Sequence, residues 1–205
     1  GDRVSLFNGR DGEWLSRIAE VKKKSCVLEC EKRRRVQNCA PDIWLCFAPI
    51  KKTPADYVVQ KATELGVSVL QPVLTRRTIV TRVNLERMAA NAVEAAEQSD
   101  RLTVPEVREP VSLDKLLANW PQERRILFCD EADDAEPMAD ALTNNKQKSW
   151  AVLTGPEGGF DPAERDLIRA RAYVIPVSLG PRILRADTAA LASLAVLQAL
   201  AGDWK

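Results

Sequence analysis

The chain has 205 residues, of which 45% are hydrophobic and 29% are charged. This is the composition of a folded globular protein and argues against a disordered chain. No segment approaches the roughly 18 consecutive apolar residues that a membrane span needs, and the first residues lack the pattern of a signal peptide. The five cysteines contain no CxxC pair and histidine is absent, so we expect no metal site, no disulfide framework and a cytoplasmic location.

The net charge of +1 hides an uneven distribution. Residues 1–40 carry ten basic and six acidic side chains, and the remainder of the chain has an acidic excess. Two basic clusters, Lys22–Lys24 and Lys32–Arg35, account for most of the difference. Such clusters indicate either a polyanionic partner or simply a solvated hairpin surface.

The first forty residues predict a small all-β unit. Segments 4–7, 13–19 and 26–30 alternate roughly between apolar and polar residues, and Asn8–Gly12 has the composition of a hairpin turn. The pattern changes near Ala40-Pro41. We therefore predict one domain over residues 1–40 and a second over residues 41–205.

In the second domain, predicted strands and helices alternate. The predicted strands are 43–48, 67–73, 125–129, 150–154 and 173–177. The predicted helices are 54–65 (closed by Gly66), 84–98 (capped by Asn84), 112–120, 136–142 and 187–200. This alternation is typical of an α/β fold with a mostly parallel sheet and helices on both faces.

A glycine-rich stretch, L-T-G-P-E-G-G-F at residues 153–160, follows the fourth of these strands. Next come Asp161 as a helix cap, Pro162 at the first helical position and Glu164 to complete a capping box. Ligands bind at such strand ends in open α/β sheets. The spacing matches neither G-x-G-x-x-G nor the phosphate loop. The glycines therefore predict either close approach of an adenosine-like or amino-acid ligand, or a tight turn.

A second special loop follows the fifth strand. It reads L-G-P-R-I-L-R-A-D-T-A at residues 179–189 and again leads into a helix, for which Asp187 or Thr188 is a candidate cap. Arg182 and Arg185 either contact an anion or pair with Glu157 and Asp187. Two successive strand ends with special loops usually build one pocket.

These two motifs together resemble the signatures of the RsmE family, the ribosomal small subunit methyltransferases of the SPOUT superfamily. Segments 60–67 (Q-K-A-T-E-L-G-V) and 94–99 (E-A-A-E-Q-S) are also similar to that family. The likeness extends over nearly the whole chain. It implies a SPOUT-type mostly parallel sheet with a C-terminal trefoil knot, preceded by a PUA-like β-barrel whose first strand would lie upstream of Gly1.

The resemblance implies transfer of a methyl group from S-adenosylmethionine to N3 of a uridine in 16S rRNA within the 30S subunit, by a homodimer. The implied cofactor residues are Leu153, Thr154, Gly155, Gly158, Leu179, Gly180, Ile183, Leu184, Arg185, Thr188 and Ala189, with Cys129–Glu131 as a weaker third loop. The implied RNA-binding residues are Lys22, Lys23, Lys24, Arg33, Arg34 and Arg35.

Methyl transfer to N3 requires that the imide lose its proton, and the chain has no histidine to take it. Either a carboxylate accepts the proton, or an arginine near the uracil carbonyls stabilises the anion. We expect Arg185 to be the stabiliser, with Asp187 as the second candidate. Asp187 stands where the resembled family usually has glutamate.

Three alternative functions remain at this point. One is a SPOUT methyltransferase with a tRNA or another rRNA position as acceptor. Another is an RNA-binding module without catalysis. The third is a dinucleotide-binding oxidoreductase, which the missing fingerprint disfavours. The apolar face of the last helix, with Leu191, Leu194 and Leu197, is consistent with either core or dimer interface.

Overall fold

The first sheet is a small antiparallel unit at the start of the chain. The computed structural model describes residues 1–80, 82–130 and 134–204, and within them the strands form two sheets. The first has the order β1-β2-β3, with β1 (Arg3–Phe7), β2 (Glu13–Lys22) and β3 (Ser25–Arg35). Phe7 pairs with Glu13 across the predicted hairpin, which confirms the all-β character of this part.

The second sheet is parallel in every pairing between its described strands. Its order is β6-β5-β4-β10-β8-β11-β9, and β7 also pairs with β5. The strands are β4 (Asp42–Phe47), β5 (Val69–Leu74), β6 (Glu106–Val107), β7 (Val111–Ser112), β8 (Arg125–Cys129), β9 (Glu136–Pro137), β10 (Ser149–Thr154) and β11 (Val174–Ser178). The predicted α/β class is therefore confirmed.

Helices cover both faces of this sheet. They are α1 (Lys52–Glu64), α2 (Leu85–Gln98), α3 (Leu113–Ala118), α4 (Met138–Asn144), α5 (Pro162–Arg169) and α6 (Ala186–Ala201). Side chains of α1, α2, α4 and α6 form the core on one face, and those of α3 and α5 form it on the other. Because both faces are covered, the central strands are apolar over most of their length, as Trp150–Leu153 shows. No helix in the described ranges is long and apolar enough to cross a membrane.

Helix ends follow the predicted capping residues closely. Gly66 has φ +85° after α1, with Val67 N donating to Ala62 O (3.2 Å) and Gly66 N to Thr63 O (3.0 Å). This is a Schellman motif. The side chain of Asn84 accepts a hydrogen bond from Arg87 N at the start of α2. Both predicted helix boundaries are confirmed.

The predicted helix at 136–142 begins later than expected. Glu136 and Pro137 pair with the end of β11, so α4 starts at Met138. Local sequence did not indicate this pairing, because the partner strand lies about forty residues further along the chain.

An ion pair links the first sheet to the loop that follows α2. Residues 36–41 lie between them and belong to no helix or strand. Arg35 at the end of β3 contacts Asp100 after α2, with 2.6 Å between Nη2 and Oδ1. Asp100 itself has φ +57°. The placement of the domain boundary near residue 40 stays a prediction.

Candidate active site

A cleft of about 1170 Å³ lies at the carboxyl edge of the parallel sheet. It is built where three neighbouring strands end: β10 at Thr154, β8 at Cys129 and β11 at Ser178. We call residues 155–161 the first loop and residues 179–185 the second loop. Both line the cleft, so two segments that are far apart in sequence form one site, as predicted for successive strand ends.

The first loop is shaped by its own phenylalanine. A Cβ atom built on Gly155 would lie 2.8 Å from Phe160 Cε2, which is closer than real Cβ contacts. Phe160 in turn packs edge-on against Phe128, with ring centroids 5.1 Å apart. Gly159 has φ +65°, a left-handed conformation that favours glycine. An internal ring therefore requires a glycine at position 155, whereas the sequence had left a closely approaching ligand and a tight turn as the two possible reasons.

Hydrogen bonds at the start of α5 fix the end of the first loop. The side chain of Asp161 accepts from Ala163 N (3.1 Å), and Glu164 Oε2 accepts from Asp161 N (3.2 Å). This capping box, with Pro162 at the first helical position, confirms the prediction. Glu164 is buried and also accepts from Arg76 N (2.8 Å) through its other oxygen. The loop is consequently held at both its glycine turn and its helix end.

The second loop makes fewer contacts with the protein. Gly180 has φ +107°, and the space where a Cβ would stand is open within 4 Å. Ile183 is 81% exposed although it is a large apolar side chain, and Arg182 and Arg185 are exposed as well. Within residues 1–80, 82–130 and 134–204, neither arginine forms an ion pair. The pairing with Glu157 and Asp187 that the sequence allowed is not formed.

Helix α6 begins one residue before the predicted start, and its cap differs from the prediction. Arg185 occupies the N-cap position and makes no side-chain cap bond. Asp187 lies inside the first turn, where its Oδ1 accepts from Thr188 N at 2.8 Å. The prediction that Asp187 or Thr188 caps the helix was wrong, because Asp187 serves a free N–H of the first turn from within the helix.

Most of the residues expected to bind the cofactor line the cleft. They are Thr154, Gly155, Gly158, Leu179, Gly180, Ile183, Leu184, Arg185 and Ala189, and Asp187 joins them. Two do not lie on its surface. Leu153 is fully buried in the core on the α3 and α5 face, and Thr188 is exposed outside the cleft. In the weaker third loop, Cys129 and Asp130 line the cleft, while Glu131 lies outside the described residues.

The wall formed by β8 and α5 contains a buried carboxylate. Asp130 is 8% exposed and pairs with Arg165 (2.7 Å) and Arg169 (2.6 Å). Arg169 also contacts Asp134 at 2.7 Å, and its hydrogen bond lowers the pKa of that carboxyl group. Burial raises the pKa of the neighbouring Cys129 thiol to about 12. Cys129 is therefore protonated at neutral pH and is not an activated nucleophile.

Sequence reasoning missed several residues of the cleft. Arg77, Phe128 and Arg165 line it, as do Ile50 and Pro54 from the end of β4 and the start of α1. Arg77 comes from the turn after β5, and its Nη1 donates to Gly158 O at 2.8 Å. No local motif marks Arg77. Only the adjacency of β5, β4 and β10 in the sheet brings it to the cleft.

The predicted RNA-binding residues lie on the N-terminal sheet and differ in how far acidic side chains already hold them. Lys22 ends β2, and Lys23 and Lys24 form the exposed turn before β3. Nη1 of Arg34 lies 3.8 Å from Oε1 of Glu13. Arg35 donates to Glu13 and to Asp100, so its guanidinium joins the first sheet to the loop after α2. Arg33 lines a groove of about 670 Å³ on this sheet together with Phe7 and Trp14.

A parallel α/β sheet with a cleft between loops at its carboxyl edge defines the class of protein, one that binds a small ligand at the strand ends. The family described as RNA methyltransferase domain matches residues 37–198, and the RNA methyltransferase PUA domain matches residues 1–30. The chain therefore belongs to the RNA methyltransferase family.

Named relatives confirm the expected RsmE resemblance. Ribosomal RNA small subunit methyltransferase E of Rickettsia conorii is 30% identical over 200 residues, which is 97% of this chain and 81% of the relative. The protein of that name from Neisseria gonorrhoeae, solved with S-adenosylmethionine, has a TM-score of 0.88 at 30% identity, covering 100% of this chain and 85% of that one.

A methyltransferase of Legionella pneumophila, also solved with the cofactor SAM, has a TM-score of 0.89 at 32% identity. The match covers 99% of this chain and 85% of that one. These structures confirm the SPOUT-type α/β fold with a PUA-like N-terminal part. The trefoil knot stays a prediction.

Proposed function

We propose that this protein transfers the methyl group of S-adenosylmethionine to N3 of a uridine in small-subunit ribosomal RNA, with the 30S subunit as substrate. The observation that carries the proposal is the meeting of the first and second loops in one cleft, in a chain of this family. The solved relatives from Neisseria gonorrhoeae and Legionella pneumophila hold this cofactor. Relatives named for the small ribosomal subunit support the choice of acceptor.

The cleft fits the proposed cofactor in size and in chemistry. Its volume of about 1170 Å³ is slightly larger than that of most ligand pockets, roughly 300–1,000 Å³, which leaves room for a nucleotide beside the cofactor. Apolar side chains such as Leu179 and Leu184 line it next to bare backbone at Gly158 and Gly180. Thr154 and Ala189 would complete the cofactor site. When bound, the cofactor supplies an electrophilic methyl group on a sulfonium.

The chain's own part in the reaction is to position the acceptor and to stabilise the charge left when N3 loses its proton. Arg185 lines the cleft, is exposed and is unpaired among the described residues, so its guanidinium is available to the uracil carbonyls. Asp187 lines the same cleft, but one of its oxygens already accepts from Thr188 N. Arg185 remains the proposed stabiliser, and Asp187, as a proton acceptor, remains the second candidate for a direct role.

Binding of the ribosomal RNA would use the basic side chains of the N-terminal sheet. Lys22, Lys23 and Lys24 are exposed at one end of it. Arg33 and Arg34 extend the positive surface along β3. Arg35 would contribute least, since it is engaged with Glu13 and Asp100.

We further propose a homodimer, a C-terminal knot and a cytoplasmic location. The exposed Ile183 in the second loop and the exposed Leu200 on α6 are surfaces that a second copy would cover. The knot would pass through the segment that contains both loops. A ribosomal substrate supports the cytoplasmic location.

The test compares two alanine-to-tryptophan variants by titration calorimetry with S-adenosylmethionine. Ala189 lines the cleft and Ala163 is exposed outside it at the start of α5. We expect Ala189→Trp to lose cofactor binding and Ala163→Trp to bind like the unmodified chain. Methylation of unmethylated 30S subunits against total tRNA then identifies the acceptor. Absence of cofactor binding by the folded, unmodified chain would overturn the proposal.

A further inference from the structure

A turn between two threonines presents Arg77 to the cleft. We call residues 75–78 the arginine turn. Thr78 N donates to Thr75 O (3.1 Å), and Thr75 N donates to Thr78 Oγ1 (2.9 Å). Thr75 is 9% exposed. Since each end of the turn is bonded to the other, the two arginines inside it project from a fixed backbone.

The arginine turn is joined to the first loop by both of its arginines. Arg76 donates from its backbone N–H to Glu164 (2.8 Å) and from Nη1 to Asp161 (2.9 Å). Its charge is therefore matched by a carboxylate. Arg77 donates from Nη1 to the carbonyl oxygen of Gly158 (2.8 Å), and in residues 1–80, 82–130 and 134–204 no carboxylate lies within ion-pair distance of it.

Arg77 thus has an unmatched charge and unused donors at the cleft. A guanidinium carries five N–H groups in a planar fork that suits the oxygens of a phosphate. Arg182 and Arg185, also unpaired among the described residues, line the cleft with it. Three arginines without ion-pair partners among the described residues give this part of the cleft a positive charge. They fit the negative backbone of a nucleic acid.

We propose that Arg77 binds a backbone phosphate of the RNA substrate at the mouth of the cleft and so positions the acceptor nucleotide. This inference rests on the proposed function, because it takes RNA as the substrate of the cleft. The arginine turn acts as a positioning element that lies outside both sequence motifs. Glu157 lines the same wall, and its negative charge would repel the phosphate.

The test is the salt dependence of binding to 30S subunits from cells that lack this methyltransferase. Each phosphate contact contributes roughly 0.7–0.9 to the slope of log K against log salt concentration. We expect Arg77→Gln to reduce the slope by about one unit and to weaken binding several-fold. We also expect a raised KM for 30S subunits and an unchanged affinity for S-adenosylmethionine.

Two variants on the same surface serve as controls. Arg76→Gln removes an equal charge from the same turn, but one already matched by Asp161, so its slope should equal that of the unmodified chain. Glu157→Gln should strengthen binding a few-fold, because it removes the opposing charge next to the proposed phosphate site.

Two results would overturn the inference alone. One is a salt slope unchanged by Arg77→Gln while the unmodified chain binds and methylates 30S subunits. The other is loss of S-adenosylmethionine binding in Arg77→Gln, which would show that Arg77 only supports the first loop through Gly158. Failure of the unmodified chain to bind either the cofactor or 30S subunits would instead overturn the proposed function, and this inference with it.

Discussion

The two loops that form the cleft differ in how the protein holds them. The first loop contains Phe160 packed against Phe128, a capping box at α5 and contacts from the arginine turn. The second loop leaves Ile183 81% exposed and makes no ion pair through its arginines within the described residues. One wall of the site is thus preorganised by the chain itself, whereas the other has surface available for the cofactor, the RNA or a second copy.

The largest effect should come from filling the space beside Gly155. Gly155→Val places a side chain 2.8 Å from Phe160, so the free energy of unfolding should fall by about 2 kcal/mol, as overpacking of a filled site costs. Urea unfolding measures this change. Gly158→Ala is the control, because its Cβ would lie 3.8 Å from Arg77 and should change stability by less than about 0.5 kcal/mol. Equal losses in both variants would contradict a preorganised first loop.

Removing the carboxylate of Glu164 should be slightly less costly. Glu164→Ala leaves the N–H groups of Arg76 and Asp161 without their acceptor, which should cost about 1–2 kcal/mol. Glu164→Gln keeps one acceptor oxygen but presents its NH2 group to the other N–H donor, so it should recover at most half of that stability. The comparison again uses urea unfolding, and an unaffected alanine variant would show that the arginine turn is held by other contacts.

A truncation in the second loop should leave stability nearly unchanged. Ile183 is exposed, so Ile183→Ala should alter the free energy of unfolding by less than about 0.5 kcal/mol. Because Ile183 lines the cleft, affinity for S-adenosylmethionine should nevertheless fall several-fold in calorimetry. A loss of stability as large as that of Gly155→Val would remove the contrast between the two loops.

The smallest expected effect concerns the ion pair between Arg169 of α5 and Asp134. Arg169 lowers the pKa of Asp134 in the folded protein, below the unfolded value of about 3.9. The stabilisation is therefore present above that value and is lost as pH falls through the folded pKa. Melting curves of Asp134→Asn should lie slightly below those of the unmodified chain at pH 7 and coincide with them once the pH is below the folded pKa of Asp134. A difference in melting temperature that does not change with pH would rule out the ion pair as the cause of that difference.

The elements of the fold were largely predictable from the sequence. Strands such as 125–129 were bounded correctly because buried parallel strands are uninterrupted apolar runs. Helix ends at Asn84, Asp161 and Gly66 were predictable because capping depends on a few adjacent residues. The start of α4 was not, since Glu136 pairs with a distant strand.

The candidate site, like the fold, was predictable from the sequence only in part. Both loops could be located from their motifs, because glycine and proline mark special backbone wherever they stand. Leu153 and Thr188 were assigned to the cofactor by resemblance, yet one lies in the core and the other outside the cleft. The direction of a side chain depends on the register of its strand in the sheet or on the rotation of its helix about the helix axis. A sequence motif contains neither piece of information.

The sequence alone determined the α/β class, the order of the longer elements and the two loops, since all of these follow from local periodicity, capping and glycine content. The two-residue strands β6, β7 and β9 carry no such signal and were not predicted. The tertiary structure decided why Gly155 is bare and that Arg77 reaches the cleft. It also showed that Arg35 joins the first sheet to the loop after α2. Arg77 reaches Gly158 only because the strand order β5-β4-β10 brings their strand ends together, and the Phe160 ring beside Gly155 is held by Phe128 of β8.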